Sequence, residues 1–370
     1  MNNKKTSNPV RLIAFFLAAT VLLCTFGFTV DGWHIKTKND PIISTQEKVD
    51  RPTKEEEKQE PDIIPEKPDI YIPAYTNPLT GLECDENIAN SKPFGIVMDG
   101  SNNLYGISNS DIIVEIPVEN HDTRFISFIH TTNEVKKLGS ISPSRGYISN
   151  LIKFFGANAI FNGTDDKISY DCCNLLGRVI DLSKKKEYSY IEQEGLVYTN
   201  KDLIDLAIDS SSFSNEGNEE LILPYAFLDY ESKLDASDSI ANNISIFYSD
   251  RNLTQFVFNS ETNKYSIKKN DLDLCDASNG IPQEFSNCFI LYSDSVTYDT
   301  SDYSQIIVQT TGSGSGFYFT EGMVYEMRWS ATTAGVMTFY STAGEKLTVN
   351  RGSCYIAYVK SSEKNSTIWS

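Results

Sequence analysis

The residues best suited to chemistry form a short polar segment that follows an apolar run. Residues 115–124 read EIPVENHDTR and combine carboxylates, a histidine and an arginine. Side chains two positions apart on a strand share a face, so we expect Glu115 and Glu119 on one side. Asp99 ends the neighbouring apolar run FGIVMD, and we expect it close to Arg124. Strand ends would then bring the carboxylates and the guanidinium together.

Three interpretations of this cluster stay open. The acids could form a salt-bridged structural network. They could instead bind a metal or, through a bidentate guanidinium, a polar ligand. A hydrolase could use Glu115 or Glu119 as its base, with Arg124 and Arg145 orienting an anionic substrate.

Other catalytic motifs fail on their spacing. The tract TGSGSG at 311–316 lacks the Lys-Ser/Thr ending of a phosphate loop and precedes FYF, so it predicts a turn between strands. The sequence has no G-x-S-x-G elbow, C-x-x-C or H-x-x-x-H. His121 and His130 are the only histidines beyond residue 70. We therefore predict no metal site and no cofactor.

Short apolar runs and one helical pattern must position the cluster. Residues 94–99, 111–118 and 124–131 are rich in β-branched side chains, which predicts strands. Apolar residues over 146–155 recur at helical spacing, and 159–162 returns to a strand pattern. A capping box at 199–202 predicts a helix over 203–208. The fold class is therefore α/β (α+β), a layered sheet-and-helix domain followed by a smaller β-rich domain.

Composition changes divide the chain into five parts. We predict a cytoplasmic N-terminus (1–11), a transmembrane anchor or signal segment (12–30), a disordered charged and proline-rich stalk (31–70), an N-terminal α/β domain (71–228) and a C-terminal β-rich domain (243–360). The polar stretch 229–242 is the predicted seam between the two domains.

The run Leu12–Val30 carries no charge and is long enough to cross a bilayer, at roughly 28 Å. Basic residues precede it and Asp31 follows it, which places the C-terminal body outside the cytoplasm. Three interpretations stay open: an uncleaved single-pass anchor, a signal lipidated at Cys24, and ordinary cleavage. In all three, the body is extracytoplasmic.

Charge and cysteine content limit the function further. The 370 residues include 32 Lys+Arg against 50 Asp+Glu, a net charge of −18. Nucleic acid is excluded as the main partner, because phosphate binding needs a basic face. Seven cysteines are present, and an oxidising compartment would permit disulfides. Cys275 and Cys288 are the candidate local pair, with buried free thiols as the alternative.

Several of these segments also resemble a known family. The landmarks, in chain order, are 77–82 (NPLTGL), 92–99 (KPFGIVMD), 106–108 (GIS), 111–119 (DIIVEIPVE), 123–125 (TRF), 144–147 (SRGY) and 196–199 (LVYT). The similarity continues more loosely at residues 314–316, 328–329, 344 and 350–352. Together they are similar to the YerB-like family of lipoproteins from Gram-positive bacteria, over about residues 77–360. The resemblance implies an anchored extracytoplasmic protein with an α/β first domain and a β-rich second domain, and supplies no reaction.

The chain departs from that family at polar positions. Ser142 stands where relatives usually carry a second Arg, and Asn162 stands where they carry a His followed by two glycines. The His and the Asp that relatives carry in the C-terminal domain are missing near 268–273. The candidate polar or ligand site therefore comprises Asp99, Glu115, Glu119, Thr123, Arg124, Arg145 and Asn162. We predict a non-catalytic binding or scaffolding module that engages an envelope component or a protein partner, with an envelope hydrolase as the alternative.

Overall fold

The fold is that of a computed structural model, which describes residues 70–164, 179–210, 221–235, 237, 239–299 and 304–370. The predicted N-terminus, the segment 12–30 with Cys24, and the stalk up to residue 69 lie outside the described residues. Within the described ranges, no helix has the length and apolarity to cross a membrane.

The first half of the folded part mixes strands with helices. Its strands are β1 (Phe94–Asp99), β2 (Ile112–Pro117), β3 (Thr123–Ile129), β4 (Leu138–Gly139), β5 (Asn158–Phe161), β6 (Val179–Asp181), β7 (Tyr190–Ile191), β8 (Val197–Thr199) and β9 (Ala226–Phe227). Its helices are α1 (Glu86–Ala89), α2 (Gly146–Phe154) and α3 (Lys201–Asp209). Short 3-10 helices lie at Ile107–Asn109, Glu119–His121, Lys186–Tyr188 and Gln193–Gly195.

The second half is almost entirely strand. It contains β10 (Asn243–Ser249), β11 (Asn252–Asn259), β12 (Lys264–Lys269), β13 (Leu272–Asp273), β14 (Glu284–Phe285), β15 (Asn287–Ser293), β16 (Ser295–Asp299), β17 (Ser304–Val308), β18 (Gly312–Thr320), β19 (Met323–Ala331), β20 (Met337–Ser341), β21 (Thr348–Val349), β22 (Cys354–Lys360) and β23 (Thr367–Trp369). A 3-10 helix, Ser361–Ser366, precedes β23. The predicted fold class, mixed sheet and helix followed by a β-rich part, is confirmed.

A ten-stranded sheet joins the two halves. Its order is β20-β19-β18-β15-β22-β2-β3-β1-β5-β6. Strand β22 pairs in parallel with both β15 and β2, with Ile356 opposite Phe289 on one side and Val114 on the other. The hydrogen-bonded backbone is therefore continuous across the seam predicted at 229–242, and the exact domain boundaries stay a prediction.

Alternating side chains of this sheet supply two cores. On β1, Ile96 and Met98 join one apolar cluster, whereas Val97 joins the other. The first cluster includes side chains of a six-stranded sheet ordered β13-β12-β11-β10-β23, with β14 on β12. The second includes the buried face of α2. The layers are therefore six-stranded sheet, ten-stranded sheet, and α2.

Three local predictions need correction. The glycine tract begins strand β18 and is not a turn between strands: a Cβ at Gly314 or Gly316 would collide with a carbonyl oxygen of β15. Helix α3 starts at Lys201, because the Asn200 side chain caps it by accepting from the Leu203 N–H at 3.0 Å. The structure does not form the predicted disulfide: Cys275 and Cys288 are free thiols.

Candidate functional site

Glu115 lies in the interior, between the two large sheets. It sits near the middle of the ten-stranded sheet on β2, whose six residues are all buried, and its own exposed fraction is 0%. Its carboxylate accepts hydrogen bonds from the Thr123 hydroxyl at 2.8 Å and the Tyr355 hydroxyl at 2.8 Å. The Thr254 hydroxyl lies 2.9 and 3.1 Å from the two carboxylate oxygens. Glu115 therefore has partners from both sheets.

Lys269 supplies the opposite charge. Its ammonium group pairs with Glu115 and lies 2.5 Å from Asn252 Oδ1, 2.9 Å from Thr254 Oγ1 and 3.2 Å from Thr123 Oγ1. Burial of a charge costs several kcal/mol unless it is paired and hydrogen-bonded, and both ions of this pair meet that condition. The Glu115–Lys269 pair is therefore a closed structural network.

The network also affects its tyrosines. Burial, and then the charge of Glu115, hold the pKa of Tyr355 well above its usual range. The same causes raise the pKa of Tyr248. Both shifts favour the protonated phenol, and the Tyr355 hydroxyl donates to Glu115.

Glu119 belongs to a different environment, on the α2 side of the ten-stranded sheet. It lies in a 3-10 turn after β2 and forms an ion pair with Arg145, the residue that precedes α2. Glu119 Oε1 also accepts the backbone N–H of Ile306 at 2.8 Å, which holds the β16–β17 hairpin. Side-chain exposure is 16% for Glu119 and 6% for Arg145, so this pair lies at the edge of the interior.

A groove of about 350 Å³ runs between α2 and the hairpin. Its lining residues are Gly146, Tyr147, Asn150, Asp294, Val296, Ile307, Val308, Gln309, Thr310 and Thr311. Val296 and Ile307 are cross-strand partners, with exposed fractions of 65% and 39%. Two apolar side chains therefore stand in solvent beside an otherwise mixed groove.

Tyr147 connects the groove to the charged residues. Its hydroxyl donates to the carbonyl of Pro117 at 3.2 Å. Burial raises its pKa, and the nearby charges of Arg145, Glu119 and Arg124 modify that rise. Three of the predicted site residues therefore lie around one groove-lining tyrosine.

The remaining predicted residues lie at the ends of β1 and β5. Asp99 is the register partner of Arg124, and the Arg124 guanidinium donates to the carbonyl of Pro143 at 2.8 Å. The Asn162 N–H donates to the carbonyl of Ser142 at 3.0 Å, so these two positions are neighbours. Backbone contacts of the loop before α2 thus bring Asn162 to the same edge.

The predicted cluster is therefore two sites and not one. Five of the predicted residues lie around the loop before α2, namely Asp99, Glu119, Arg124, Arg145 and Asn162. The other two, Glu115 and Thr123, face the six-stranded sheet. The expectation that Glu115 and Glu119 share a side is wrong, because the strand ends at Pro117 and the chain then turns. The hydrolase alternative is not supported, since the two acids share no partner. Among the described residues, no group of three His, Cys, Asp or Glu side chains could hold a metal ion.

Sequence reasoning missed Lys269, although a signal was present. Tyr265, Ile267 and Lys269 alternate on β12 and all three are buried, so period-two spacing puts the lysine on the apolar face. A lysine on such a face needs an anion. No comparable pattern in the sequence indicates that the β16–β17 hairpin lies at the site. Its contact with Glu119 depends on the tertiary structure.

Comparisons with known proteins agree with this architecture. Residues 79–212 match the N-terminal domain, and residues 244–356 the C-terminal domain, of a family described as "Protein of unknown function (DUF3048)". The chain is 22% identical over 273 residues to "Putative lipoprotein YerB" of Bacillus subtilis, covering 70% of this chain and 79% of that protein. The crystal structure of the Bacillus subtilis YerB protein matches with a TM-score of 0.68 at 18% identity, covering 80% of this chain and 99% of that one.

Proposed function

The chain belongs to the YerB-like DUF3048 family, and from this premise we propose that it is an extracytoplasmic binding module held at the membrane. The name of the Bacillus subtilis relative, a lipoprotein, supports membrane attachment. The uncharged run 12–30 is the proposed attachment segment, either as a single-pass anchor or through a lipid on Cys24.

We propose that the groove between α2 and the hairpin binds an extended segment of a protein partner. The observation that carries this proposal is the exposed Val296–Ile307 pair on the groove wall. The pair is contiguous and borders a groove, and contiguous exposed apolar surface beside a groove is a feature of interaction sites.

The hairpin backbone supports the same occupant. Among the described strands, β16 pairs only with β17. The outer edge of β16 can therefore pair with an extended segment of the partner. Every second side chain of that segment would then enter the groove. Glu119 holds the other strand through Ile306, so the binding surface is fixed before the partner arrives.

The test is site-specific photocrosslinking of the full-length protein in cells. A photoreactive p-benzoylphenylalanine replaces Val296, and a matched protein carries it at Leu272, which is equally exposed at 65% but lies on β13. We expect a discrete adduct in the membrane fraction from position 296 only. Adding Ile307→Asp should remove it, whereas Ile281→Asp, at another exposed isoleucine, should not.

Four results would contradict the proposed function. Equal adducts from positions 296 and 272 would indicate unspecific contact. An adduct that survives Ile307→Asp would remove the groove from the argument, and an adduct with glycan alone would exclude a protein segment. Recovery of the protein in the soluble fraction would contradict membrane attachment.

A further inference from the structure

The enclosed ion pair has a third polar neighbour, the carboxamide of Asn252. Asn252 begins β11, and the register pairs Thr254 of that strand with Lys269 at the end of β12. All three side chains are buried on one face of the sheet, since Asn252 lies two residues before Thr254. The strands therefore place a lysine amine beside a carboxamide, with the Glu115 carboxylate next to the amine.

The Asn252 carboxamide is held with its carbonyl group toward the lysine. Its Nδ2 donates to the carbonyl of His121 at 2.8 Å, and its Oδ1 lies 2.5 Å from Lys269 Nζ. Because a carbonyl bond is about 1.2 Å long, Nζ and the carboxamide carbon Cγ are at most about 3.7 Å apart. Reacting atoms held at about 3–3.5 Å are placed for attack. The amine nitrogen and the carboxamide carbon are therefore close to reacting distance.

The surroundings of these groups exclude water. Side-chain exposure is 3% for Lys269 and 0% for Glu115, and Asn252 is 7% exposed. The rings of Tyr248 and Phe125 lie 5.3 and 5.8 Å from Lys269 Nζ. Proton transfer from the ammonium group to the carboxylate gives an uncharged amine and an uncharged acid, and burial costs these forms less than ions. A water-free site also protects a reacting carbonyl from hydrolysis.

We propose that Lys269 and Asn252 form an amide cross-link between their side chains, with Glu115 as the proton acceptor. After Nζ has passed one proton to Glu115, its lone pair attacks Cγ, a Cγ–Nζ bond forms and the Cγ–Nδ2 bond breaks. Of the three hydrogens of the ammonium group, one stays in the new amide, one leaves with Nδ2 as ammonia, and one remains on Glu115. The reaction needs no oxidant, reductant or co-reactant.

The ion pair is the unreacted state of this cluster. Hydroxyls of Thr123, Thr254 and Tyr355 donate to Glu115 and favour its carboxylate form, so the uncharged pair is a minor state. The amide therefore accumulates slowly. It forms only after folding, because the lysine, the carboxamide and the carboxylate come from three different strands, β12, β11 and β2.

Peptide mapping of the full-length protein tests the proposal. The purified protein is incubated at physiological temperature, sampled over days, denatured and digested with trypsin. Trypsin does not cut after an acylated lysine, so the linked protein should yield one branched peptide that joins residues 252–264 to residues 269–328. Its mass should lie about 17 Da, the mass of one ammonia, below the sum of the two peptides. The branched fraction should rise with time.

Variants separate the roles of the groups. Lys269→Arg keeps a cation beside Glu115 but has no nucleophilic amine, so it should never form the link. Glu115→Gln cannot accept the proton, and the link should accumulate about a hundredfold more slowly or less. Lys268→Arg is the matched control, because this lysine belongs to the exposed pair with Asp273, and it should link as fast as the wild type.

Three outcomes would overturn the cross-link or its mechanism. Absence of the branched peptide from the wild type at every time point would overturn the proposal, whether or not any variant folds. A branched peptide that contains Glu115 in place of Asn252 would overturn the choice of the carboxamide. Equal accumulation in Glu115→Gln, with a far-UV circular dichroism spectrum like that of the wild type, would overturn the role of the carboxylate.

Discussion

Two ion pairs lie on opposite sides of the ten-stranded sheet, and their surroundings differ. Glu115–Lys269 is enclosed between two sheets, with side-chain exposures of 0% and 3%, and neutral groups occupy its remaining positions. Glu119–Arg145 borders a groove and also holds the backbone of a hairpin. The first pair joins the halves of the chain, whereas the second positions a surface. Glu115 and Glu119 are only four residues apart. The first stabilises the interior, whereas the second positions a hairpin at the surface.

The largest effect should come from opening the enclosed pair. Glu115→Ala leaves the Lys269 ammonium buried without an anion, and we expect the free energy of unfolding to fall by about 3–5 kcal/mol. Urea unfolding followed by far-UV circular dichroism measures it. The matched control is Lys268→Ala, which breaks only the exposed Lys268–Asp273 pair and should cost about 0–1 kcal/mol.

A double variant sharpens this result. Glu115→Leu with Lys269→Met removes both charges, and most of the lost stability should return, because an apolar pair needs no counter-ion. If Glu115→Ala and Lys268→Ala cost the same, the enclosed pair is not a junction between the halves.

The second effect is smaller and local. Glu119→Ala removes the acceptor for Ile306 and the partner of Arg145, and we expect a loss of about 1–3 kcal/mol. Hydrogen exchange should become faster in the β16–β17 hairpin and stay unchanged in β11 and β12. Glu261→Ala, at an exposed acid in the turn between β11 and β12, serves as the control. Faster exchange throughout the protein would show that both ion pairs have the same role.

The smallest effect concerns a third contact between the halves and depends on pH. Burial tends to raise the pKa of Asp276, but hydrogen bonds from Ser278 and Ser108 outweigh it, and the pKa is lowered. Because the pKa is lower in the folded state, the Asp276 carboxylate stabilises the fold at pH values above its unfolded-state pKa of about 4. This stabilisation is lost as the pH falls through the folded-state pKa.

Asp276→Asn should therefore cost about 1 kcal/mol at neutral pH, because an amide accepts weaker hydrogen bonds than a carboxylate. The difference from the wild type should shrink as the pH is lowered below 4. Thermal unfolding at a series of pH values measures it. A difference that is constant with pH would exclude titration of Asp276 as the cause.

Local patterns predicted much of the fold. The strand predicted at Phe94–Asp99 has the observed bounds of β1, and the helix predicted over 146–155 differs from α2 by one residue, since apolar periodicity reports local burial. The turn predicted at 311–316 is wrong because glycine suits turns and also the close approach of two strands. Only the position of β15 decides between them.

The site was less predictable, because its partners are distant in sequence. Glu115 is bound by Thr254, Lys269 and Tyr355, which lie 139, 154 and 240 residues further along the chain. Glu119 depends on a backbone N–H 187 residues away. Residue type identified these acids as unusual, but only the sheet order determines which of them is enclosed.

The position of β22 determines when the main sheet can be completed. This strand lies between β2 and β15, and both of these precede it in the chain. A polypeptide is made from its N-terminus, so both neighbours exist before the strand that joins them. Until then, each presents an open backbone edge, which is a template for wrong pairing. Contacts of such sequence separation also form slowly. Completion of the ten-stranded sheet is therefore a late step in folding, because it has to wait for residues 354–360.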